Sequence, residues 1–166
     1  MSTDKVIVEF VKPKNHPFPL VSWIIRLIEN TEFSHVVIRI DAGVNREFVY
    51  HSHFNGVNFL SKKLYNKKYK TTSKYEFFIT KEQRKKLITY FLDNAGESYP
   101  MKELVGVLFV RIAGRFGFKI NNPLGSNGMY CSELAVKVLN ILGFKKTSGK
   151  YKVTALKEIQ DILNDN

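Results

Sequence analysis

The only cysteine of this 166-residue chain, Cys131, lies at a position where cysteine chemistry is favoured. A Gly-Ser-Asn-Gly loop at 125–128 precedes it, and an apolar-periodic helix is predicted to begin at Cys131 itself. A cysteine reacts as a thiolate, and the free N–H groups and positive dipole end of a helix N-terminus favour that anion. The same amides could hold an oxyanion. The position predicts a nucleophile, and a small buried core residue is the alternative interpretation.

Two of the four histidines, His35 and His51, lie on neighbouring predicted strands. If residues 41–45 form the turn between them, Ile40 lies opposite Arg46 and His35 lies opposite His51. Opposed side chains on one sheet face have Cβ atoms roughly 4.5–5.5 Å apart. One imidazole could then take the thiol proton while the other holds the first ring in the required tautomer.

A third histidine, His53, is a diagonal neighbour in this arrangement and a second candidate for the orienting position. His35, His51, His53 and Cys131 could in principle ligate zinc, but no second cysteine or suitably placed carboxylate accompanies them. We therefore expect no metal and no cofactor. His16, beside a proline, is typical of an ordinary loop residue. A Walker loop, a Gly-x-Ser-x-Gly elbow and a His-Glu-x-x-His motif are all absent from the sequence.

Composition predicts one compact domain over residues 1–166, because 44% of the residues are hydrophobic and 13% are aromatic. A single cysteine cannot form an internal disulfide, which favours a reducing, cytoplasmic setting. The first residues resemble no signal peptide, and no apolar run is long enough to span a membrane.

The formal charge of +11 favours an anionic partner such as nucleic acid, an anionic membrane or an acidic protein. Lysines and arginines cluster at 62–63, 67–70, 84–86 and 145–146, with Tyr65 and Tyr69 among the first two clusters. No nucleic-acid motif accompanies these clusters, so a solvated surface is the simpler interpretation.

Residue periodicity predicts five strands and five helices. The strands are expected at 6–11, 34–40, 46–51, 56–60 and 74–79. The helices are expected at 19–30, 80–96, 101–112, 131–142 and 154–163. Basic residues at 61–73 and a glycine-rich segment at 114–128 are predicted to be loops, and Gly143 is predicted to end the helix that starts at Cys131.

Four motifs along the chain carry a family resemblance. They are Phe33-Ser34-His35-Val36-Val37-Ile38, then Phe48-Val49-Tyr50-His51 with Gly56-Val57, then Gly96-Glu97-Ser98-Tyr99, and finally Tyr130-Cys131-Ser132-Glu133-Leu134. In this order, with histidine before cysteine, the chain resembles the circularly permuted NlpC-type, papain-like cysteine peptidases. That superfamily includes bacterial YiiX-like and YebB-like proteins and the lecithin retinol acyltransferase-like enzymes.

The resemblance implies an α+β fold, with a small antiparallel sheet or partial barrel packed on helices. It implies Cys131 as nucleophile, His35 as general base and His51 as the polar orienting residue, with Tyr99, Tyr130 and His53 near the substrate. The acyltransferase branch has its cysteine in an Asn-Cys-Glu-His context, whereas this chain has Tyr-Cys-Ser-Glu. That departure favours the bacterial and viral-like members.

The expected activity is a thiol protease or amidase type of hydrolase, with acyl transfer and thioester cleavage as variants, on a peptide-like or acyl-lipid substrate. The alternative is a catalytically degraded scaffold that binds nucleic acid, anionic lipid or a host protein through its positive charge. The Lys-, Asn- and Ile-rich composition is compatible with a bacterial or phage origin, in which case the host cytoplasm is the expected location.

Overall fold

Helices and strands are mixed in one α+β arrangement, as the sequence predicts. The computed structural model describes residues 4–14, 19–41, 46–53, 55–99, 101–120, 130–144 and 156–165. The strands are β1 (Asp4–Pro13), β2 (His35–Asp41), β3 (Glu47–His53), β4 (Gly56–Ser61) and β5 (Tyr69–Ile79). The helices are α1 (Pro19–Glu29), α2 (Lys62–Lys68), α3 (Lys81–Asp93), α4 (Met101–Arg115), α5 (Cys131–Leu142) and α6 (Leu156–Asn164).

The strands form one open sheet in the order β4-β3-β2-β1-β5. Every neighbouring pair is antiparallel. Of the two arrangements that the resemblance implies, the antiparallel sheet is present, and the described strands do not close into a partial barrel. The central strands β1 and β2 are buried along most of their length, which explains their apolar composition.

The two faces of the sheet carry separate groups of buried residues. The first, here called the core face, packs on α3, α5 and α6 and presents Val6, Val8, Phe10, Val36, Ile38, Ile40, Tyr50 and Val57. The second, here called the histidine face, presents Val11, Val37 and Val49 together with Tyr65 and Tyr69. His35 belongs to the histidine face because it pairs with Val11 across β1 and β2.

A buried acid on the histidine face ties the edge of the sheet to α2. Glu9 is 1% exposed and forms an ion pair with Arg39. The Tyr65 hydroxyl donates a hydrogen bond to Glu9 at 2.5 Å, and the Thr71 hydroxyl donates another at 3.2 Å. A buried carboxylate needs such partners, and they anchor α2 and β5 against β1.

The predicted pairing of β2 with β3 is wrong by two residues. Ile40 pairs with Phe48 rather than with Arg46, because Asp41 continues β2 and pairs with Glu47. This register gives Ile40 an aromatic partner, whereas the predicted one would have placed a charged side chain there. A shift of two residues preserves the sheet face of every side chain, so the predicted histidine face is retained.

The segment 61–73 is not the loop that the sequence predicts. Ser61 accepts a hydrogen bond from the Leu64 amide and so caps α2, and β5 starts at Tyr69, five residues before the predicted strand. Tyr65 and Tyr69 are buried at 1% and 5% exposure. They pack on the sheet and are therefore not surface rings on which bases could stack.

Several predicted helix ends are confirmed. Thr80 and Gln83 form a capping box at the start of α3. Gly143 ends α5 in the left-handed region with φ of 99°. By contrast, α4 extends to Arg115, past the predicted end at 112. Each helix within the described ranges falls short of the length and apolarity needed to cross a bilayer.

Candidate active site

Three histidines and a tyrosine meet on the histidine face at the start of β2. The ring centroid of His35 lies 5.7 Å from that of His51, 6.1 Å from that of His53 and 5.7 Å from that of Tyr69, on which it stacks. His35 and His51 are 8% and 3% exposed. The structure thus brings the two predicted histidines together, although their register differs from the predicted one.

His51 is oriented by Asn58, its partner across β3 and β4. The Asn58 amide nitrogen donates to the Gly56 carbonyl at 3.2 Å, which turns its oxygen toward His51 at 3.0 Å from Nε2. Since that oxygen only accepts, a neutral His51 must carry its proton on Nε2. Its Nδ1 is then an acceptor, and it is buried with no hydrogen-bond partner among the described residues.

The charge state of His51 follows from its burial. Burial lowers the pKa of His51 to about 4, Lys68 lowers it further, and the hydrogen bond with Asn58 acts in the opposite direction. His51 is therefore neutral at physiological pH. A neutral acceptor beside His35 can hold a ring N–H of that residue, which is what the orienting role requires.

Cys131 is the first residue of α5, as predicted, and is 7% exposed. Its sulfur lies within hydrogen-bonding range of the backbone N–H groups of Val36, Ser132 and Cys131 itself. Burial raises the pKa of the thiol to about 11, and Glu29 also raises it, whereas these three amides lower it. The resting sulfur is therefore a thiol, in contrast to the thiolate that the helix N-terminus alone would favour.

Two tyrosines, Tyr69 and Tyr99, lie near the histidines and interact electrostatically with Cys131. Burial raises the pKa of both Tyr69 and Tyr99, and the charge of a Cys131 thiolate raises each of them further. Tyr69 stacks on His35, so one ring lies within the electrostatic reach of Cys131 and against the predicted base. Cys131 itself packs in the core-face cluster, and it approaches the start of β2 from that side.

Two adjoining cavities of about 50 Å³ each lie at this junction. The histidine cavity is lined by His35, His53 and Tyr69, and the cysteine cavity is lined by Cys131, Ser132 and Tyr130. Both are also lined by Ile25, Ser34, Tyr99 and Leu104. Because a buried water needs about 10–15 Å³ of such space, each cavity has room for roughly four waters. The site is polar at the sheet and apolar at its outer wall.

The outer wall consists of α1 and α4. The Ser22 hydroxyl on α1 lies 2.7 Å from the Ser34 hydroxyl, just before β2. Glu29, near the end of α1, forms an ion pair with Arg111 on α4. Glu29 also accepts a 2.8 Å hydrogen bond from the Leu156 amide at the start of α6. One carboxylate thus joins three helices around the cysteine cavity.

A close backbone contact positions Tyr99. The Val57 amide donates to the Glu97 carbonyl at 2.8 Å, and the Gly96 amide donates to the Val57 carbonyl at 2.7 Å. Gly56 has φ of 92°, and a Cβ built there would lie 2.5 Å from the Glu97 oxygen. Only glycine fits this backbone approach, which brings the Gly-x-x-Tyr segment to the site.

The remaining sequence predictions have mixed outcomes. Tyr130 lies beside Cys131, and its ring centroid is 6.1 Å from that of Tyr99. Tyr130 occupies the N-cap position of α5, where no described side chain caps the helix amides. The 125–128 loop, His16 and most of the 41–45 turn lie outside the described residues. Within the described part, no group of three or more His, Cys, Asp or Glu side chains is arranged to hold a metal ion.

Sequence reasoning missed Asn58, Tyr69 and Ser34. Asn58 belongs to the site only because β4 pairs with β3, and a single sequence gives no signal for that register. Tyr69 stands out in the sequence as an aromatic residue between two lysines, but that pattern predicts a ring on the surface rather than in a buried site. Ser34 precedes His35 in the quoted motif and lines both cavities.

No protein-family model matches the chain, and no curated protein matches it significantly. The interpretation of the site therefore depends on its own geometry and on the motifs quoted above.

Proposed function

We propose that this protein is a cysteine hydrolase of the permuted papain-like type, which cleaves an amide, ester or thioester bond through an acyl-enzyme on Cys131. The observation that carries the proposal is that the cavity lined by Cys131 adjoins the cavity lined by His35, since both are lined by Ser34, Tyr99 and Leu104. The order of histidine and cysteine motifs along the chain supports the same conclusion.

The raised pKa of the thiol favours a general-base mechanism over a preformed ion pair. In this mechanism the Cys131 sulfur attacks the substrate carbonyl carbon while His35 takes the thiol proton. The amides of Cys131 and Ser132 stabilise the resulting oxyanion. His35 then gives its proton to the leaving amine, alcohol or thiol, and a thioester on Cys131 remains.

Deacylation reuses the same groups. A water replaces the leaving group, His35 removes its proton, and the oxygen attacks the thioester carbonyl. The C–S bond breaks, the acid is released and Cys131 returns to the thiol form. The imidazolium that forms on His35 in each half-reaction would donate a ring N–H to His51 Nδ1, the buried acceptor that has no partner among the described residues of the resting protein.

The apolar outer wall favours an acyl group with an apolar portion. Ile25 and Leu104 face both cavities, and Val107 and Leu108 face the cysteine cavity. Such a lining binds a hydrocarbon chain or an apolar side chain better than a charged one. Peptide-like and acyl-lipid substrates both contain such groups.

A panel of chromogenic probes tests the proposal: p-nitrophenyl butyrate for esters, an alanyl p-nitroanilide for amides and a butyryl thioester for thioesters. We expect the wild-type protein to hydrolyse at least one of them and Cys131→Ala to lose that activity by at least about 1000-fold. His35→Asn is expected to lose kcat rather than raise KM.

Circular dichroism of each variant serves as the folding control. His53→Asn makes the same change at the half-buried member of the group and tests whether His53, which also lines the histidine cavity, is the orienting residue instead of His51. Unchanged hydrolysis in a folded Cys131→Ala variant, or a protein inert to the whole panel, would contradict the proposal.

A further inference from the structure

Large apolar side chains cover the outer face of the α1–α4 pair. They are Leu20, Trp23 and Leu27 on α1, then Val105, Phe109 and Ile112 on α4, and Phe116, Phe118 and Ile120 after it. Trp23 is 53% exposed and Phe109 is 57% exposed. A monomeric protein rarely exposes so many large apolar side chains on two packed helices, so this outer face indicates a binding surface.

Helical spacing separates this outer face from the cavity wall. Residues 20, 23 and 27 recur on one side of α1, while Ser22 and Ile25 face the histidine cavity from the other side. On α4, Val105, Phe109 and Ile112 recur at the same spacing, while Leu104 and Leu108 face the cysteine cavity. Both helices are therefore apolar on two sides, and the described residues cover only one of those sides.

Charge beside the outer face is mostly positive. Within residues 20–32 and 102–120, the exposed charged residues are Lys102, Arg115 and Lys119 and one acid, Glu32, which lies near Trp23 and Leu27. The other two acids of these segments, Glu29 and Glu103, are partly buried, and Glu29 is paired with Arg111. Apolar rings flanked by lysine and arginine are the pattern of helices that lie in the interface of an anionic bilayer.

We propose that the outer face of α1 and α4 docks on an anionic lipid surface. Charge favours this occupant over a second copy of the chain, because a dimer would bring two molecules of charge +11 together. The described helices cannot cross a bilayer, so docking leaves the protein lying on the surface. Because the same two helices wall the cavities, docking places the candidate site at the lipid interface.

The only tryptophan of the chain, Trp23, lies in the proposed surface and provides the readout. The probes are vesicles of phosphatidylcholine alone and of phosphatidylcholine mixed with phosphatidylglycerol in equal parts. We expect a blue shift of Trp23 emission and co-sedimentation with the mixed vesicles. Both signals should weaken at high salt and be much smaller with phosphatidylcholine alone.

Two variants with the same chemical change locate the surface. Phe109→Asp places a charge in the outer face and is expected to weaken vesicle binding at least about tenfold. Phe78→Asp makes the same change on the edge strand β5, at a side chain that is 74% exposed, and is expected to bind like the wild type. Cys131→Ala should also bind like the wild type, which separates docking from catalysis.

Three results would overturn the proposal. The first is unchanged Trp23 emission without co-sedimentation on mixed vesicles. The second is equal weakening by Phe109→Asp and Phe78→Asp. The third is a dimer in analytical ultracentrifugation that Phe109→Asp dissociates while no vesicle binding occurs, since a second copy would then cover the face.

Discussion

Asn58 illustrates how one residue can decide the chemistry of another. By accepting the Nε2 proton of His51, it leaves Nδ1 as the acceptor of that ring. Burial keeps His51 neutral, with a pKa of about 4. An ordinary histidine in an unfolded chain titrates near 6.5.

This difference predicts a pH-dependent stability. Below about pH 6.5 the unfolded chain protonates His51 while the folded protein does not, so stability falls as the pH drops toward 4. The contribution present above pH 6.5 is on the order of 3 kcal/mol. Urea unfolding of wild type and His51→Gln across this range measures it. In the variant, the free energy of unfolding should depend less steeply on pH between about 4 and 6.5. The same pH dependence in both proteins would show that folding does not shift the pKa of His51.

The thiol of Cys131 has the opposite shift, because burial favours its uncharged form. At about pH 8, iodoacetamide is therefore expected to alkylate native Cys131 more slowly than the urea-denatured chain, whose thiol has an ordinary pKa near 8.5. Mass spectrometry of quenched samples gives both rates. Faster alkylation of the native protein would point to a thiolate preformed at the helix start.

Sequence reasoning at this scale found Cys131, His35 and His51 because residue type and local spacing identify them. It could not find the raised thiol pKa. That shift depends on the burial of Cys131 in the folded core, among residues that are distant from it in sequence.

At the scale of elements, the close backbone contact between β4 and the segment 96–99 leaves no room for a side chain at Gly56. Gly56→Ala would force a Cβ toward the Glu97 carbonyl and strain a backbone with positive φ. We expect a loss of at least about 2 kcal/mol in the free energy of unfolding, and weaker probe hydrolysis because Tyr99 moves.

Gly143→Ala is the matched control for this prediction. Gly143 has φ of 99°, but no atom lies within 4 Å of a Cβ added there. Alanine at this position therefore has the strain of a positive φ without a steric clash. Gly56→Ala should cost more stability than Gly143→Ala. Equal costs for the two variants would mean that the Glu97 contact is unimportant.

The elements themselves were predictable where periodicity was strong, as in β1, α3 and α5. The β2–β3 register and α2 were not. The register depends on whether Asp41 pairs, and α2 is a short lysine-rich helix whose only buried side chain, Tyr65, packs on the opposite face of the sheet from α5.

For the molecule as a whole, each cavity has room for only a few waters, so we expect α1 and α4 to move outward when a larger substrate binds. α1 packs mainly on α4 and β1, whereas β1 and β2 lie at the centre of the sheet. Hydrogen exchange is therefore expected to be faster in α1 and α4 than in β1 and β2. Equally slow exchange in all four elements would argue against an opening of this wall.

The α+β class was predictable from the family resemblance, and the chain order agrees with it, because the predicted strands come mostly before a run of helices. The open sheet order and the wall of α1 and α4 over the site were not, because both depend on long-range packing. Their apolar outer face, which underlies the proposed lipid docking, could be recognised only once the inner face was seen to be covered.

Acid-quenched mass spectrometry of the protein mixed with p-nitrophenyl butyrate tests the central claim most directly. We predict a butyryl adduct on the peptide containing Cys131 in the wild type, its absence in Cys131→Ala and much slower formation in His35→Asn. A butyryl adduct that forms equally fast in Cys131→Ala, or acylation of the wild type that does not depend on His35, would contradict the account.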